Sequence, residues 1–357
     1  MADLLFIQEY YYYLIVFIWI LIFVSVESYS KDKLWTLIIP LFVFPFSFFL
    51  VYYIGSRDVN IGVDTVRYES RFRFYESRQD FIIVKDPFYD FLNYLFSKTF
   101  GFQALLFFCA FIYIFGALLA LRKIFKDNFF LPFLIFLISP YFINSGINVM
   151  RSGVAASLFL VGLAVYYKRG RDWKGTLWFI GSILFHASMF VPLFSFFITR
   201  YFRDTKKIFL MWLASIALAI AKVNLFTQAI RILELFSDRA GGYAQKGAGD
   251  ESSWSNFAIF GFFPVIFAIY NLVVLKYKNE FYKWLVNAYM LIHIPYILLI
   301  HTQFASRLGY LAEFMMPVIL LIPLLVNPVM KIKFVRLKTS LIIFVVFMIK
   351  AYKILII

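Results

Sequence analysis

The sequence predicts an all-α polytopic membrane protein with about ten transmembrane helices and one re-entrant helical hairpin. Three observations predict this fold class. First, 63% of the 357 residues are hydrophobic and 22% are aromatic, whereas soluble domains are typically about 45–50% apolar. Second, the apolar residues form runs close to the roughly 20 residues that a spanning helix needs. Third, cations cluster in the short segments between those runs. We therefore predict one integral membrane domain over residues 1–357.

Ten apolar runs are the candidate membrane spans. They lie near residues 10–26, 34–54, 101–121, 129–144, 149–167, 207–222, 257–275, 284–300, 309–326 and 339–356. Each approaches the length of about 17–25 residues that crosses a bilayer as a helix. Several contain proline, which leaves their exact ends open.

The net charge of +15 comes from 35 Lys and Arg residues against 20 Asp and Glu residues. Most of these cations flank apolar segments in short loops, where they set topology and attract anionic lipid headgroups. We therefore expect membrane lipids as partners and no nucleic-acid partner. Cys109 is the single cysteine and lies inside an apolar run, which excludes an intrachain disulfide and a cysteine-based metal site.

The apolar stretch 176–199 is predicted to be the re-entrant hairpin, with His186 near its tip. Its flanking cations are Lys168, Arg169, Arg171 and Lys174 before it, and Arg200, Arg203, Lys206 and Lys207 after it. Because cations beside short loops mark the cytoplasmic side, both ends are expected inside the cell. A full crossing is the alternative, since a tilted helix of this length could span the bilayer. An ionisable residue within the membrane is a functional-site hypothesis by default.

Two long loops are predicted outside the cell, over residues 55–100 and 223–256. The first is expected to carry amphipathic helices, because Asp64 is a plausible N-cap and Tyr68, Phe72 and Tyr75 recur with helical spacing after it. A second helix is expected after the Asp86–Pro87 pair, with its apolar face on the membrane surface. The other loop contains SDRAGGYAQKGAGDESS, which is glycine-rich and polar and is therefore predicted to be mobile.

Arginines gather in the predicted outer segments, against the usual bias toward the cytoplasm. They are Arg57, Arg67, Arg71, Arg73, Arg78, Arg151 and Arg307. The planar guanidinium grips phosphate oxygens at two points, so Arg151 and Arg307 together predict a pyrophosphate clamp at the outer interface. The alternative is that each arginine reaches lipid headgroups or pairs with an acid such as Asp64, Glu69 or Glu313. Arg151 also opens a helix whose first turns are small residues, which lets a neighbour approach closely.

Two residues are candidates for a general base. An imidazole, in general, titrates near neutral pH. The side chain of His186 could therefore accept a proton from a sugar hydroxyl, and the carboxylate of Asp64 is its rival. The alternatives are structural, with His186 stabilising a helix break and Asp64 only capping a helix. The sequence contains no HExxH motif, no paired carboxylate spacing, no P-loop and no GxGxxG in a strand–helix context, so no metal or nucleotide cofactor is predicted.

Four stretches contain most of these candidate residues. They are GSRDVNIGVDTVRY (Gly55 to Tyr68), NVMRSGVAASLFLVGLAVYY (Asn148 to Tyr167), LFHASMFVPL (Leu184 to Leu193) and SRLGYLAEF (Ser306 to Phe314). In this order they resemble the motifs of the EpsG/Wzy-like family of bacterial polysaccharide polymerases. Those motifs are an external G-x-R followed by Gly-Asp-Thr-Tyr, an Arg-bearing helix, a His-Ser motif and a late Arg-bearing segment. Two positions depart from the usual pattern, with Ser152 where Gln is frequent and Ala187 where an aromatic residue is frequent.

The resemblance implies a membrane-embedded glycosyltransferase of the GT-C-like class, here an O-antigen or exopolysaccharide polymerase. Such an enzyme joins oligosaccharide repeat units carried on undecaprenyl pyrophosphate, at the periplasmic face of the bacterial inner membrane. It needs no metal or nucleotide, because the lipid pyrophosphate is the leaving group. The lipid-linked oligosaccharides, as donor and acceptor, are the expected partners, together with a chain-length regulator protein. The expected substrate-binding residues are Arg57, Arg67, Tyr68, Arg151 and Arg307, and the expected catalytic residues are His186 and Asp64.

Three other functions remain open from the sequence. A flippase for lipid-linked oligosaccharides also needs cationic sites, but in a cavity that opens to both sides of the membrane. A membrane acyltransferase that decorates glycans would use His186 as its base. A ligase that moves finished glycan to another lipid is a close relative of a polymerase.

Overall fold

The computed structural model shows a helical protein. It describes residues 33–62, 64–169, 173–222, 257–301 and 305–329, with isolated positions at 254 and between 335 and 345. These residues form helices and turns and contain no β-strand. The chain divides into two compact units, Met1–Met189 with Leu324–Ile357, and Phe190–Pro323.

The first unit is arranged around two long apolar helices. Its helices are α1 (Lys33–Gly55), α2 (Thr65–Glu76), α3 (Pro87–Thr99), α4 (Phe102–Phe125), α5 (Phe130–Ile138), α6 (Pro140–Ile147), α7 (Met150–Arg169) and α8 (Trp173–Phe185). Helix α4 packs against α1 and α7, and α7 packs against α8. Helices α2 and α3 pack against each other, and α3 also contacts α4 and α8.

The remaining helices lie around α12. They are α9 (Phe190–Ile198), α10 (Thr205–Ile220), α11 (Phe263–Ile269), α12 (Glu280–Leu298), α13 (Ala305–Glu313) and α14 (Met316–Leu325). Helix α12 packs against α9, α10 and α13. Short π-helical segments, Phe257–Phe262 and Tyr270–Val274, flank α11.

Among the described residues, three helical segments are long and apolar enough to cross a membrane. They are Phe102–Asn128, Met150–Lys168 and Arg307–Leu325. The pair of α5 and α6 also qualifies when it is taken as one bent span. The chain is thus a helical membrane protein, while the number of about ten spans stays a prediction. The predicted span at 10–26 lies outside the described residues, and the predicted loop 223–256 and span 339–356 lie almost wholly outside them.

The apolar run near 129–144 is helical but broken. Helix α5 ends at Ile138 and α6 begins at Pro140, with a bend of 71° between them. A residue that precedes a proline is driven out of the α region, and Ser139 accordingly adopts an extended backbone with ψ of 140°. A search for apolar residues alone does not register this Ser-Pro step.

Small residues let helices approach closely at the start of α7. A methyl group at Gly153 would lie 2.3 Å from the backbone oxygen of Ser145, in α6. Farther along α7, a methyl group at Gly162 would lie 2.6 Å from the ring of Phe179. The small residues after Arg151 therefore bring a neighbouring backbone against this helix.

Segment 55–100 contains the two short helices α2 and α3. Helix α2 buries Tyr68, Phe72 and Tyr75, the residues expected on its apolar face. Asp64 occupies the N-cap position of α2, but its side chain makes no capping hydrogen bond. Its carboxylate instead pairs with the guanidinium of Arg67, 2.9 Å away.

Helix α3 turns a polar side toward the protein. Asp90 and Asn93 are fully buried, whereas Phe88, Phe91 and Leu95 are exposed. The exposed apolar side is available for the membrane contact that the sequence predicts. The polar side is buried because it has partners inside the protein.

The main partner is an ion pair between Asp90 and Arg71 of α2. The other carboxylate oxygen of Asp90 accepts hydrogen bonds from the backbone N–H groups of Val84 and Lys85, each at 2.8 Å. A buried carboxylate is tolerated when both a counter-charge and hydrogen bonds compensate its lost hydration. Asp90, in α3, therefore holds α2 and the connecting segment in place against α3.

The chain leaves the α-helical path at His186. Helix α8 ends at Phe185, and one turn of 3-10 helix, Ala187–Met189, follows. The interruption lies where the sequence places the tip of the hairpin 176–199. The re-entry of this segment into the membrane stays a prediction.

We expect Asp90→Asn to destabilise the protein. The change removes the counter-charge of Arg71, and breaking a buried ion pair in this way costs about 3–5 kcal/mol. The measurement is the unfolding temperature of the detergent-solubilised protein. Asp80→Asn is the matched control, because Asp80 also pairs with an arginine, Arg78, but at the exposed surface, where such pairs contribute little. Equal unfolding temperatures for the two variants would contradict the structural role of Asp90.

Candidate functional site

A buried carboxylate, that of Asp86, joins three segments of the first unit. Asp86 directly precedes α3 and is fully buried. Its Oδ2 pairs with Nη1 of Arg151, at the start of α7. Its Oδ1 accepts a hydrogen bond from the backbone N–H of Ala187, 3.2 Å away. The imidazole of His186 completes the group, with Nδ1 at 3.8 Å from Oδ2.

Local sequence explains the position of Asp86. Pro87 opens α3, where its missing N–H and fixed φ suit the first turn, and the residue before a proline favours an extended backbone. The next turn packs aromatic rings against the end of α8. The ring centroids of Phe88 and Tyr89 lie 5.8 and 5.7 Å from that of Phe185. These ring contacts place Asp86 beside the helix break.

The guanidinium of Arg151 lies over two tyrosine rings. Its Cζ is 5.6 Å from the ring centroid of Tyr68 and 5.5 Å from that of Tyr89, within cation–π range. Tyr68 donates its hydroxyl hydrogen to the backbone oxygen of Asn148, 2.9 Å away. Asp86 accepts a hydrogen bond from this guanidinium and the Tyr68 hydroxyl also interacts with it, while Nε is buried without a partner. Because buried donors are normally paired, this edge of Arg151 is suited to bind an anion.

A second guanidinium, that of Arg57, lies near the same tyrosines and is buried. Arg57 is 4% exposed. Its Nη1 donates to the backbone oxygen of Ile54 at 2.8 Å, and its Nη2 lies 3.4 Å from Sδ of Met150, which adjoins Arg151. No carboxylate in the described part of the chain forms an ion pair with Arg57. Burial lowers the pKa of the Arg57 guanidinium, because the charged form is poorly solvated there.

The turn after Arg57 is folded tightly against the segment that precedes α7. Gly62 has a φ of +90°, a conformation that favours glycine, and a side chain there would collide with Oδ1 of Asn148 at 2.9 Å. The Thr65 hydroxyl donates to the backbone oxygen of Ile61 at 2.7 Å and lies 3.5 Å from Nε of Arg57. The first motif stretch therefore packs onto the second.

The four side chains Arg57, Arg151, Asp86 and His186 together have an excess of positive charge. The buried Arg57 and the partly buried Arg151 supply two positive charges and Asp86 supplies one negative charge, so two minus one leaves one positive charge when His186 is neutral. Charges buried in proteins are normally paired. The group of Arg57, Arg151, Asp86 and His186, called the Asp86 cluster below, is therefore electrostatically suited to an anionic ligand.

The pKa of Asp86 is lowered to about 2. Burial by itself would raise the pKa of this carboxyl group, but the nearby imidazole of His186, the charge of Arg151 and the N–H of Ala187 outweigh it. Asp86 is therefore ionised at neutral pH. Burial also raises the pKa of the Tyr68 hydroxyl, which keeps that group protonated as a hydrogen-bond donor.

His186 turns one ring nitrogen, Nδ1, toward the carboxylate of Asp86. Its side chain is 21% exposed, and Nδ1 is the buried nitrogen. At 3.8 Å from Asp86 the contact is longer than a hydrogen bond. It is an electrostatic contact in this geometry, and a shift of about 1 Å would convert it into a hydrogen bond.

The structure brings together four of the residues that the sequence predicts for the site. Arg57, Tyr68, Arg151 and His186 all lie in or beside the Asp86 cluster. They come from the first three of the four motif stretches.

The other predicted site residues lie elsewhere. Asp64 and Arg67 pair with each other, and the Arg67 side chain is 74% exposed. Arg307 lies on α13, in the unit Phe190–Pro323, and is exposed, so its joint action with Arg151 stays a prediction. The arginines that pair with acids of the same loop are Arg67, Arg71, Arg73 and Arg78.

Sequence analysis missed two residues of the site, Asp86 and Tyr89. The Asp86–Pro87 pair predicts a helix start and nothing more. The ion pair between Asp86 and Arg151 joins residues 65 positions apart, and no local pattern signals such a pair. The available signal was weak: an acid directly before a proline, in a segment with many external arginines.

The two departures from the usual motif pattern leave these contacts in place. Ala187 meets Asp86 through its backbone N–H, which any residue except proline would supply. Ser152 is buried in α7. In the part of the chain that the structure describes, no group of three or more His, Cys, Asp or Glu side chains could hold a metal ion.

We expect Asp86 to make stability depend on acid pH. Its pKa falls from 3.8 to about 2 on folding, so the stabilisation, of the order of 2 kcal/mol, is complete above about pH 4. It is lost as the pH falls toward 2, because protonation then favours the unfolded chain. The measurement is the difference in unfolding temperature between the native protein and Asp86→Asn, which should narrow between pH 5 and pH 2.5. A constant difference across that range would contradict the assignment.

Comparison with known protein families identifies a match that covers most of the chain. The sequence profile of the EpsG family matches residues 41–357, a range that includes the whole Asp86 cluster and most of the chain. No curated protein and no solved structure matches significantly. The chain therefore belongs to the EpsG family, which in general terms supports a polysaccharide-polymerase-like role.

Proposed function

We propose that the protein is an O-antigen or exopolysaccharide polymerase. It joins oligosaccharide repeat units linked to undecaprenyl pyrophosphate, at the periplasmic face of the bacterial inner membrane, and it uses no metal ion. Membership of the EpsG family supports polymerase chemistry. The observation on which the proposal rests is the Asp86 cluster, where excess positive charge and a candidate base lie together at the start of a membrane helix.

The guanidinium groups of Arg57 and Arg151 bind the diphosphate of the donor. The unpaired Nε of Arg151 donates to a phosphate oxygen, and Arg57 supplies a second positive charge. When the bond between the sugar and the diphosphate breaks, negative charge grows on the departing oxygen, and donors already in place stabilise it. Removing one such donor typically lowers the rate by about 10²–10³-fold.

The acceptor sugar must lose a hydroxyl proton as its oxygen attacks. His186 is the candidate that lies in the cluster, and its ring is partly exposed, so an acceptor hydroxyl can reach it. Asp64, the rival candidate, pairs with Arg67 at 2.9 Å and is not part of the cluster. We therefore assign the base to His186.

Tyr68 is better suited to position Arg151 than to touch a sugar. It is 5% exposed, and its hydroxyl already donates to Asn148. Its ring lies under the Arg151 guanidinium at 5.6 Å. With Tyr89, it limits the directions in which the guanidinium can turn.

Arg151→Lys is expected to abolish most chain elongation while the protein still folds. Lysine keeps the positive charge but loses the planar fork, and a single ammonium cannot serve Asp86 and a phosphate oxygen with the same geometry. In cells we expect lipid-linked single repeat units to accumulate and glycan ladders to shorten, with a rate loss of about 10²-fold.

Arg73→Lys is the matched control for this substitution. Arg73 pairs with two glutamates on the surface of α2, Glu69 and Glu76, and lies outside the cluster. Its ladders should match those of the native protein. Ladders of native length from Arg151→Lys would refute the clamp.

Purified protein in detergent or liposomes should convert lipid-linked repeat units into longer chains, and EDTA should leave the rate unchanged. Guanidinium groups supply the cationic charge in this proposal, so no divalent ion is required. Loss of activity in EDTA with recovery in Mg²⁺ would refute the metal-free mechanism. Transfer of lipid-linked units across the bilayer without elongation would identify a flippase, and an acylated glycan of unchanged length would identify an acyltransferase.

A further inference from the structure

We propose that Asp86 is the positioning residue of a His186–Asp86 pair, which holds the imidazole with Nδ1 protonated and leaves Nε2 free to take the acceptor proton. The inference rests on the proposed function and adds to it a residue that the motif stretches do not contain. It assigns to Asp86 a role in the proton transfer besides its ion pair with Arg151.

The geometry of Asp86 supports this role. The carboxylate is fully buried, and the groups around it come from the start of α7 and from the break after α8. The N–H of Ala187 holds Oδ1 at 3.2 Å, which orients Oδ2 toward both Arg151 and Nδ1 of His186. Since the adjacent backbone amide fixes the carboxylate, only the imidazole has to move to complete the hydrogen bond.

The carboxylate selects one form of the imidazole. A neutral histidine has one N–H and one nitrogen with a free lone pair. An ionised carboxylate only accepts hydrogen bonds, so it favours the form in which Nδ1 is protonated. The lone pair then lies on Nε2. Because Nδ1 is buried, Nε2 is the nitrogen that a substrate can meet.

The step is balanced as follows. The acceptor hydroxyl oxygen forms a bond to the anomeric carbon of the donor, and the bond from that carbon to the diphosphate oxygen breaks with its electron pair on the oxygen. The hydroxyl proton passes to Nε2 of His186. The resulting imidazolium is stabilised by the negative charge of Asp86, while the diphosphate leaves with its charge balanced by Arg57 and Arg151. No oxidant, reductant or further reactant is needed.

A merely structural Asp86 would serve as the counter-ion of Arg151. The two roles differ in one measurable respect. A positioning residue acts through His186, so its removal has no effect once His186 is gone. A counter-ion of Arg151 acts independently of His186, so its removal lowers the rate by the same factor in either background.

The first experiment is therefore a double-mutant cycle in the purified elongation assay. We expect H186Q and D86N each to lower kcat by about 10²-fold or more, and the double variant to be within threefold of H186Q. The KM for the lipid-linked donor should change less than kcat does. Multiplicative losses in the double variant would overturn the inference.

The second experiment measures directly which nitrogen of the His186 imidazole is protonated. The chain has three histidines, His186, His293 and His301, so nitrogen NMR of protein labelled with 15N-histidine can resolve them, with H186Q assigning the signal. We expect His186 to be protonated at Nδ1 in the native protein and at Nε2 in D86N. His293 and His301 contact backbone oxygens and should not change. An unchanged His186 signal in D86N would also overturn the inference.

D86E covers the case in which D86N does not fold, because it keeps the carboxylate. We expect it to retain the Nδ1-protonated form of His186 and more activity than H186Q, and a His186 signal protonated at Nε2 would contradict the pair. Failure of the proposed function would look different. Native protein that does not elongate lipid-linked units removes the polymerase proposal itself, whereas elongation by the native protein with multiplicative losses removes only the pair.

Discussion

The contact between the Asp86 carboxylate and the Arg151 guanidinium organises the first unit around its candidate site. A carboxylate without exposure to water is stable only if cations and hydrogen-bond donors replace its hydration. Here the replacements come from distant parts of the chain, Arg151 at the start of α7 and the N–H of Ala187 after α8. The ion pair therefore ties the segment before α3 to two apolar helices, and the position of the short helices follows from it.

The same contact leaves at least one of the hydrogen-bond donors of Arg151 without a partner. A guanidinium has five N–H donors; Asp86 and Tyr68 meet that of Arg151, and its Nε is buried without a partner. Nearby, Arg57 is buried without a carboxylate among the described residues. Protein stability alone would favour equal numbers of buried positive and negative groups. The diphosphate site that we propose needs the opposite, a shortage of acids, and the cluster has more arginines than acids.

Sequence patterns predicted much of the helical structure, because helix periodicity is a local property. The apolar face of α2, with Tyr68, Phe72 and Tyr75, follows from spacing alone. The polar side of α3 is different. Asp90 faces inward because Arg71 and two backbone amides meet it there, and such partners are known only once the chain is folded.

The residues of the candidate site likewise fall into those that the sequence predicts and those that it does not. Arg57, Arg151 and His186 were predictable, since arginines in predicted outer segments oppose the cytoplasmic bias and an ionisable histidine within an apolar stretch marks a candidate site. Asp86 was not, since an acid before a proline is an ordinary helix start. The sequence also does not show which acids lie near each arginine, because these neighbours are set by the folded structure. Arg67 and Arg73 lie among surface acids, while Arg57 lies among none that the structure describes.

One consequence of sharing Asp86 between Arg151 and His186 concerns the order of events. In the structure the carboxylate divides its charge between the two, with the guanidinium much closer. A diphosphate that binds Arg151 supplies that cation with other negative partners, so less of its positive charge is directed at Asp86. The carboxylate is then more available to accept the hydrogen bond from Nδ1 of His186. On the proposed chemistry, the base is therefore best positioned when the donor is in place.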